Sequence, residues 1–104
     1  MKMAIYYLTC ADSREADKIS KVLLKKRLVA CAKKHTIESN FWWKGKVDNA
    51  KEILLMFESV EENFEKIEKE VKKLHSYQTY VLFSIPVGKT TKRVEKWLKD
   101  ELKK

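Results

Sequence analysis

The sequence is poor in the residues from which phosphate cradles, secreted frameworks and leaders are built. Among 104 residues there are only 2 glycines, 1 proline and 2 cysteines. Glycine scarcity excludes a glycine-rich phosphate loop, and neither GxxxxGK[ST] nor GxGxxG occurs. Cys10 and Cys31 cannot form a secreted disulfide framework, and with no CxxC pair both are expected as thiols in a reducing compartment. No apolar run approaches the ~18 residues of a membrane span. The opening MKMAIYYLTC turns polar at Asp12 and lacks a small-residue cleavage site. It predicts a strand rather than a leader, and hence a cytoplasmic protein. No serine sits on a GxSxG elbow, and no pair of catalytic carboxylates stands out.

What is there suits one folded domain. Hydrophobic residues make up 44% and charged residues 37%, and a single core normally organises ~100–150 residues. Met3–Thr9 is apolar on both faces, as in a central strand. Asp12 with Glu15 forms a capping-box pattern before a helical stripe of Ala16, Ile19, Leu23 and Arg27. Val29–Lys44 predicts a long strand ending in Phe41, Trp42 and Trp43, followed by a turn at Gly45 and a returning strand over Val47–Glu58. Ser59 with Glu62 suggests a second capping box, ahead of Phe64, Ile67, Val71 and Leu74 on one helical face. On that helix, Glu62–Lys66, Glu65–Lys69 and Glu68–Lys72 are spaced for i,i+4 pairing. Tyr77–Val87 predicts a fourth strand with Pro86 near its end, and Thr90 or Thr91 starts a last helix bearing Val94, Trp97, Leu98 and Leu102.

The order β-α-β-β-α-β plus a terminal helix predicts an α+β, ferredoxin-like fold with an antiparallel sheet and a long central hairpin. Core positions expected from the patterning include Ile5, Tyr7, Ile19, Leu23, Leu28, Ala30, Ile53, Leu55, Phe57, Ile67, Val71, Leu74, Leu82 and Val94. The hairpin arms of about 12–15 residues reach ~40–50 Å at ~3.3 Å per residue, whereas the first strand covers only ~23 Å. The excess would carry Phe41, Trp42, Trp43 and open strand edges into water. Pairing with further copies of the chain is the economical solution.

Candidate chemistry is sparse. Cys10 lies where the first strand gives way to a helix N-terminus, a place that favours thiolates and hence soft metals. His75, at the end of the second helix and close to Tyr77, is a candidate ligand or proton-handling group. Cys31 and His35 stand ~13 Å apart on one strand face and cannot share one ion as a local pair. Lys plus Arg total 23 against 15 Asp plus Glu, a net charge of +8. That charge is read as a lysine-rich solvated surface ahead of a nucleic-acid interface using Trp42 or Trp43. The third strand, VDNAKEILLMFE, lacks the glycine and aromatic motif of an RNA-recognition domain. An acylphosphatase-like enzyme using Arg14 would need a glycine cradle that LTCADSRE does not supply.

Taken together, KVLLKKRLVACA (21–32), SNFWWKGKV (39–47), KE (51–52), KKLHSYQTY (72–80) and EKWL (95–98) resemble the CutA family of divalent-cation-tolerance proteins. The resemblance implies a ferredoxin-like fold, a homotrimer built through the long hairpins with Phe41, Trp42, Trp43 and Tyr77 at its interfaces, and no membrane. It also implies no firm catalytic activity, no required cofactor, and weak binding of copper or another divalent cation. His75 and Tyr77 match the family's His-Pro-Tyr motif, with Ser76 in the place of its proline. His75 with Cys10 is the metal pair that the resemblance implies. Val81 stands where an acidic residue often follows, and Tyr80 where a second proline is usual.

Overall fold

The computed structural model describes residues 1–102. Seven elements follow in order: β1 (Met3–Cys10), α1 (Ser13–Lys25), β2 (Cys31–Trp43), β3 (Lys46–Val60), α2 (Phe64–Leu74), β4 (Leu82–Pro86) and α3 (Lys92–Glu101). A 3-10 turn at Glu61–Asn63 precedes α2. The strands form one sheet in the order β2-β3-β1-β4, antiparallel at every pair. This is the expected α+β, ferredoxin-like arrangement with a terminal helix.

Local chemistry explains the boundaries. Asp12 caps α1, its Oδ1 accepting from the Glu15 N–H at 2.9 Å. The helix ends in a Schellman closure, with Arg27 N–H donating to Leu24 and Leu28 N–H to Leu23. Arg27 takes the left-handed position at φ +55, where glycine is usual. Its guanidinium offsets that strain by donating to the Glu101 carbonyl and carboxylate at 3.1 and 3.2 Å, fastening the end of α3 to the end of α1. The hairpin closes with Trp43 opposite Lys46. Lys44 and Gly45 between them both have positive φ, at +51 and +79, as a type I′ turn requires.

β1 covers only Ile53–Val60 of β3, so residues 46–52 run past it in partnership with β2 alone. The molecule accordingly measures 45 × 26 × 22 Å. The main core lies between the sheet and α1 and α2, around Ala4, Tyr6, Leu8, Ile19, Leu23, Leu55, Phe57, Ile67 and Val71. A second cluster, Val60, Leu98 and Leu102, seats α3 at the far end of the sheet. Among the described residues, no helix is long and apolar enough to cross a membrane.

Several expectations shift. Ile5 and Tyr7 are only partly buried, and the alternate residues Ala4, Tyr6, Leu8 and Cys10 face the helices. A strand apolar on both faces cannot declare its register, and Tyr6 is buried because its hydroxyl donates to the Val60 carbonyl at 2.7 Å. Ala30, Leu74, Leu82 and Val94 are likewise intermediate rather than buried. Ser59 caps no helix. It ends the strand buried, and its hydroxyl donates to the Leu28 carbonyl, which also accepts from Asn63 Nδ2 at 2.9 Å. The fourth strand is Leu82–Pro86, shorter than Tyr77–Val87; its register with β1 covers Ala4–Leu8, flanked by single bonds from Thr9 N–H to Val81 and from Val87 N–H to Met3. The i,i+4 pairs expected on α2 do not form: Glu62 accepts from the Lys2 N–H and Glu68 from the Tyr80 hydroxyl.

The helix-free face of the sheet carries Ile5, Tyr7, Leu54 and Met56 at its centre, and Phe83 and Ile85 on β4. Phe83 and Ile85 are 44% and 46% exposed. At the hairpin tip Trp42 and Trp43 are 75% and 46% exposed, a large apolar area for a lone chain.

Candidate cation-binding cluster

Three elements meet where β1 ends. β1 delivers Cys10, fully buried. The first turn of α1 delivers Glu15. The segment after α2 delivers His75, whose N–H donates to the Val71 carbonyl as the helix stops. The ligand atoms of Cys10, Glu15 and His75 lie within 4.8 Å of one another. The structure thus joins the two metal candidates read from the sequence and adds an acidic third. Val81, where the resemblance leads one to look for an acidic residue, is exposed, and the carboxylate beside Cys10 and His75 is that of Glu15 in the first turn of α1.

The hydrogen bonds are specific. His75 Nε2 lies 2.8 Å from the Thr9 carbonyl and so donates to it. Nδ1 accepts from the Tyr77 N–H at 3.0 Å. Those two backbone partners dictate the tautomer. The His75 ring also packs against Tyr77 and Tyr80, with centroids 5.0 Å away in each case. Glu15 Oε2 accepts from the Ala11 N–H at 2.8 Å and lies 3.8 Å from His75 Nδ1, while Oε1 accepts from the Ser76 N–H at 2.6 Å. A proline at position 76 would carry no N–H, so this backbone bond to Glu15 requires that a residue other than proline stand there. Just past the last β1–β3 pair, the Tyr77 hydroxyl donates to Glu52 Oε2 at 2.7 Å.

Electrostatics follow from this packing. Burial, with Glu15 and Asp12 nearby, pushes the Cys10 thiol up to about 12, so it stays protonated at neutral pH. Burial alone would raise the Glu15 carboxyl, but the Ala11 and Ser76 hydrogen bonds and the His75 ring outweigh it and hold the group below its ordinary value. Burial and the Glu52 carboxylate push the Tyr77 phenol up.

Sulfur, nitrogen and oxygen at this spacing are the donor types that borderline cations such as copper accept. As folded, however, the cluster does not fit a resident ion. Both His75 nitrogens are engaged by backbone groups, and the Cys10 sulfur holds its proton. The other candidates stay apart from it. Phe41, Trp42 and Trp43 pair with Lys46–Asp48 near the hairpin turn. Arg14 is exposed on α1, and His35 is exposed on β2 opposite Leu54. Glu15 and Glu52 were not foreseen as site residues. Glu52 had one signal, a carboxylate two positions before Leu54 and four before Met56, on the same apolar face.

The family profile described as CutA1 divalent ion tolerance protein matches residues 4–101. The chain belongs to the CutA divalent-cation tolerance family. It is 37% identical over 92 residues to the divalent-cation tolerance protein CutA of Archaeoglobus fulgidus, covering 88% of this chain and 90% of that one. It is 35% identical over 102 residues to the CutA protein of Pyrococcus horikoshii, covering 98% and 100%. The solved structure of the periplasmic divalent cation tolerance protein CutA from Archaeoglobus fulgidus superposes with a TM-score of 0.95 at 34% identity, over 97% of this chain and 99% of that one. The CutA names describe cation tolerance and state no reaction.

Proposed function

We propose that this chain acts in the response to divalent cations as a non-enzymatic homotrimer, and that it binds copper weakly at Cys10 and His75. The observation that carries the reading is the meeting of Cys10, Glu15 and His75 within 4.8 Å. Weak binding follows from the bonding there, since a cation would compete with the Tyr77 N–H for Nδ1 and with the proton on Cys10. Calorimetric titration with Cu(II), alongside zinc and nickel controls, tests it on wild type and His75→Ala. Equal copper binding by both would remove His75 from the account.

Assembly is supported by the run 46–52 of β3, which pairs with β2 on one edge and has no β1 partner on the other, and by the exposed Phe83, Ile85, Trp42 and Trp43. A copy number of three is what the family resemblance implies. Light scattering in dilute solution is expected to return three chain masses, and a single chain mass would end the proposal. A cytoplasmic setting is supported by the two unpaired thiols, Cys10 and Cys31. Cell fractionation checks it.

A further inference from the structure

A second site lies away from the cluster, in a groove of about 930 Å³ between the end of α1 and the outer face of α2. Its polar lining is Lys25, Lys26, Arg27, Lys66, Lys69 and Glu70, five cations against one carboxylate. We propose that this groove binds a small oligophosphate, a chain of a few phosphates either free or carried by a nucleoside.

The charges there are unusually uncompensated. Helical spacing offers Glu62 to Lys66 and Glu65 to Lys69, yet neither pair forms, and Glu62 is turned to the chain's amino-terminal segment. Among the described residues, Lys25, Lys66 and Lys69 make no ion pair. The single acid, Glu70, is already shared through Oε2 between Lys26 at 3.0 Å and Lys73 at 3.6 Å, and it pairs with none of Lys25, Lys66 and Lys69. Arg27 is shared with Glu101 at 3.2 Å. Three ammonium groups thus remain to meet an anion, with the paired Lys26 and Arg27 also lining the groove. Holding like charges along one groove raises the free energy of the bare protein, and a multiply charged anion relieves it.

One feature opposes an anion: α1 ends here, and the negative end of a helix dipole amounts to about half a charge. The Schellman bonds answer it in part, because the Leu23 and Leu24 carbonyls already accept from Leu28 and Arg27. The cations outnumber what remains. The volume lies within the ~300–1,000 Å³ of small-ligand sites. Val22 and Leu28 add an apolar floor on which a nucleobase could rest.

The test is calorimetric titration of the full chain with tripolyphosphate and with ATP, at about 50 and about 200 mM salt. It is run on wild type, on Lys25→Gln/Lys69→Gln, and on the charge-matched control Lys89→Gln/Lys92→Gln, with circular dichroism to verify folding. Saturable binding that weakens with salt, falls about tenfold in the groove variant and less than about twofold in the control supports the site. Tighter binding of ATP than of tripolyphosphate assigns the floor to the base, and equal binding assigns recognition to phosphate alone. No binding at low salt would overturn the proposal. So would equal losses in both variants, or a short single-stranded RNA that outcompetes tripolyphosphate and is weakened equally by both, since each marks diffuse charge rather than a site.

Discussion

Glu15 bonded to Ser76 is the strongest single tie between the start of α1 and the segment that carries His75, and its removal gives a quantitative test. Glu15 accepts two backbone hydrogen bonds, at 2.8 and 2.6 Å, with its side chain only 11% exposed. A hydrogen bond to a charged acceptor contributes about 1.5–3 kcal/mol. Ser76 is exposed, so water can replace part of the loss, and Glu15→Ala is expected to cost about 2–4 kcal/mol. Ser76→Pro removes the shared backbone bond together with the Ser76 hydroxyl's interaction with Glu15. The His75 backbone, at φ −77 and ψ 137, already has the extended shape that a following proline demands. The proline also stiffens the unfolded chain, returning about 0.4–1 kcal/mol. Its net cost is then about 0.5–2 kcal/mol. Because both variants break the same bond, the double variant should cost about 1.5 kcal/mol less than the two costs added together. The assay is urea unfolding at one fixed protein concentration, since an assembly's stability depends on concentration. The pH dependence has a definite sign. The Glu15 value is depressed in the folded state, so its contribution is complete above the ordinary value of 4.5 and is lost as pH falls through the folded value. The gap between wild type and Glu15→Gln should therefore close on acidification. Costs that simply add, within about 0.3–0.5 kcal/mol, would show that the bond does not couple the two segments.

Three further outcomes are expected. Cys10, with its thiol near 12, should alkylate at about pH 8 at least ~10³-fold more slowly than a free cysteine, and labelling at the free rate would contradict its burial. Leu55→Ala, at a position 1% exposed, should lower unfolding stability by about 2–5 kcal/mol by denaturant titration. Trp43→Ala should weaken assembly more than the isolated fold, so sedimentation showing an intact oligomer at low concentration would count against the hairpin as an interface.

Much of the fold was readable because its strongest signals are local and redundant. Asp12 with Glu15, the stripe Ile67, Val71 and Leu74, and the Lys44-Gly45 turn each name one conformation through more than one physical cause. The overhang needed only arithmetic, because strand lengths convert directly into reach. The misreadings fall where two solutions have similar local energy. β1 is apolar on both faces, so choosing Ile5 and Tyr7 or Ala4 and Tyr6 for the core depends on where two distant helices land. Ser59 has the chemistry of a cap, but a buried strand end supplied a carbonyl, that of Leu28, with a greater need for a donor.

The cluster was legible by residue type and illegible by bonding. Cys10 and His75 can be named from the chain because thiols and imidazoles are rare and their positions fall at element ends. Their availability cannot be named, because what occupies them is backbone: the Thr9 carbonyl, the Tyr77 N–H, and through Glu15 the Ala11 and Ser76 N–H groups. Residues 76–81 lack a sheet partner along most of their length, so the Ser76 and Tyr77 N–H groups turn to side chains, and those side chains, Glu15 and His75, are the candidate ligands themselves. The same need explains why the acid arrives from α1 rather than from position 81. Glu15 is already placed by the helix cap, and a carboxylate fixed at a helix start can reach an N–H on a neighbouring segment at little added entropic cost. A histidine, a cysteine and a carboxylate brought together are thus explained first by the closing of a short irregular segment. The proposed cation binding has to draw on whatever those bonds can give up, which is why we expect its affinity to be low.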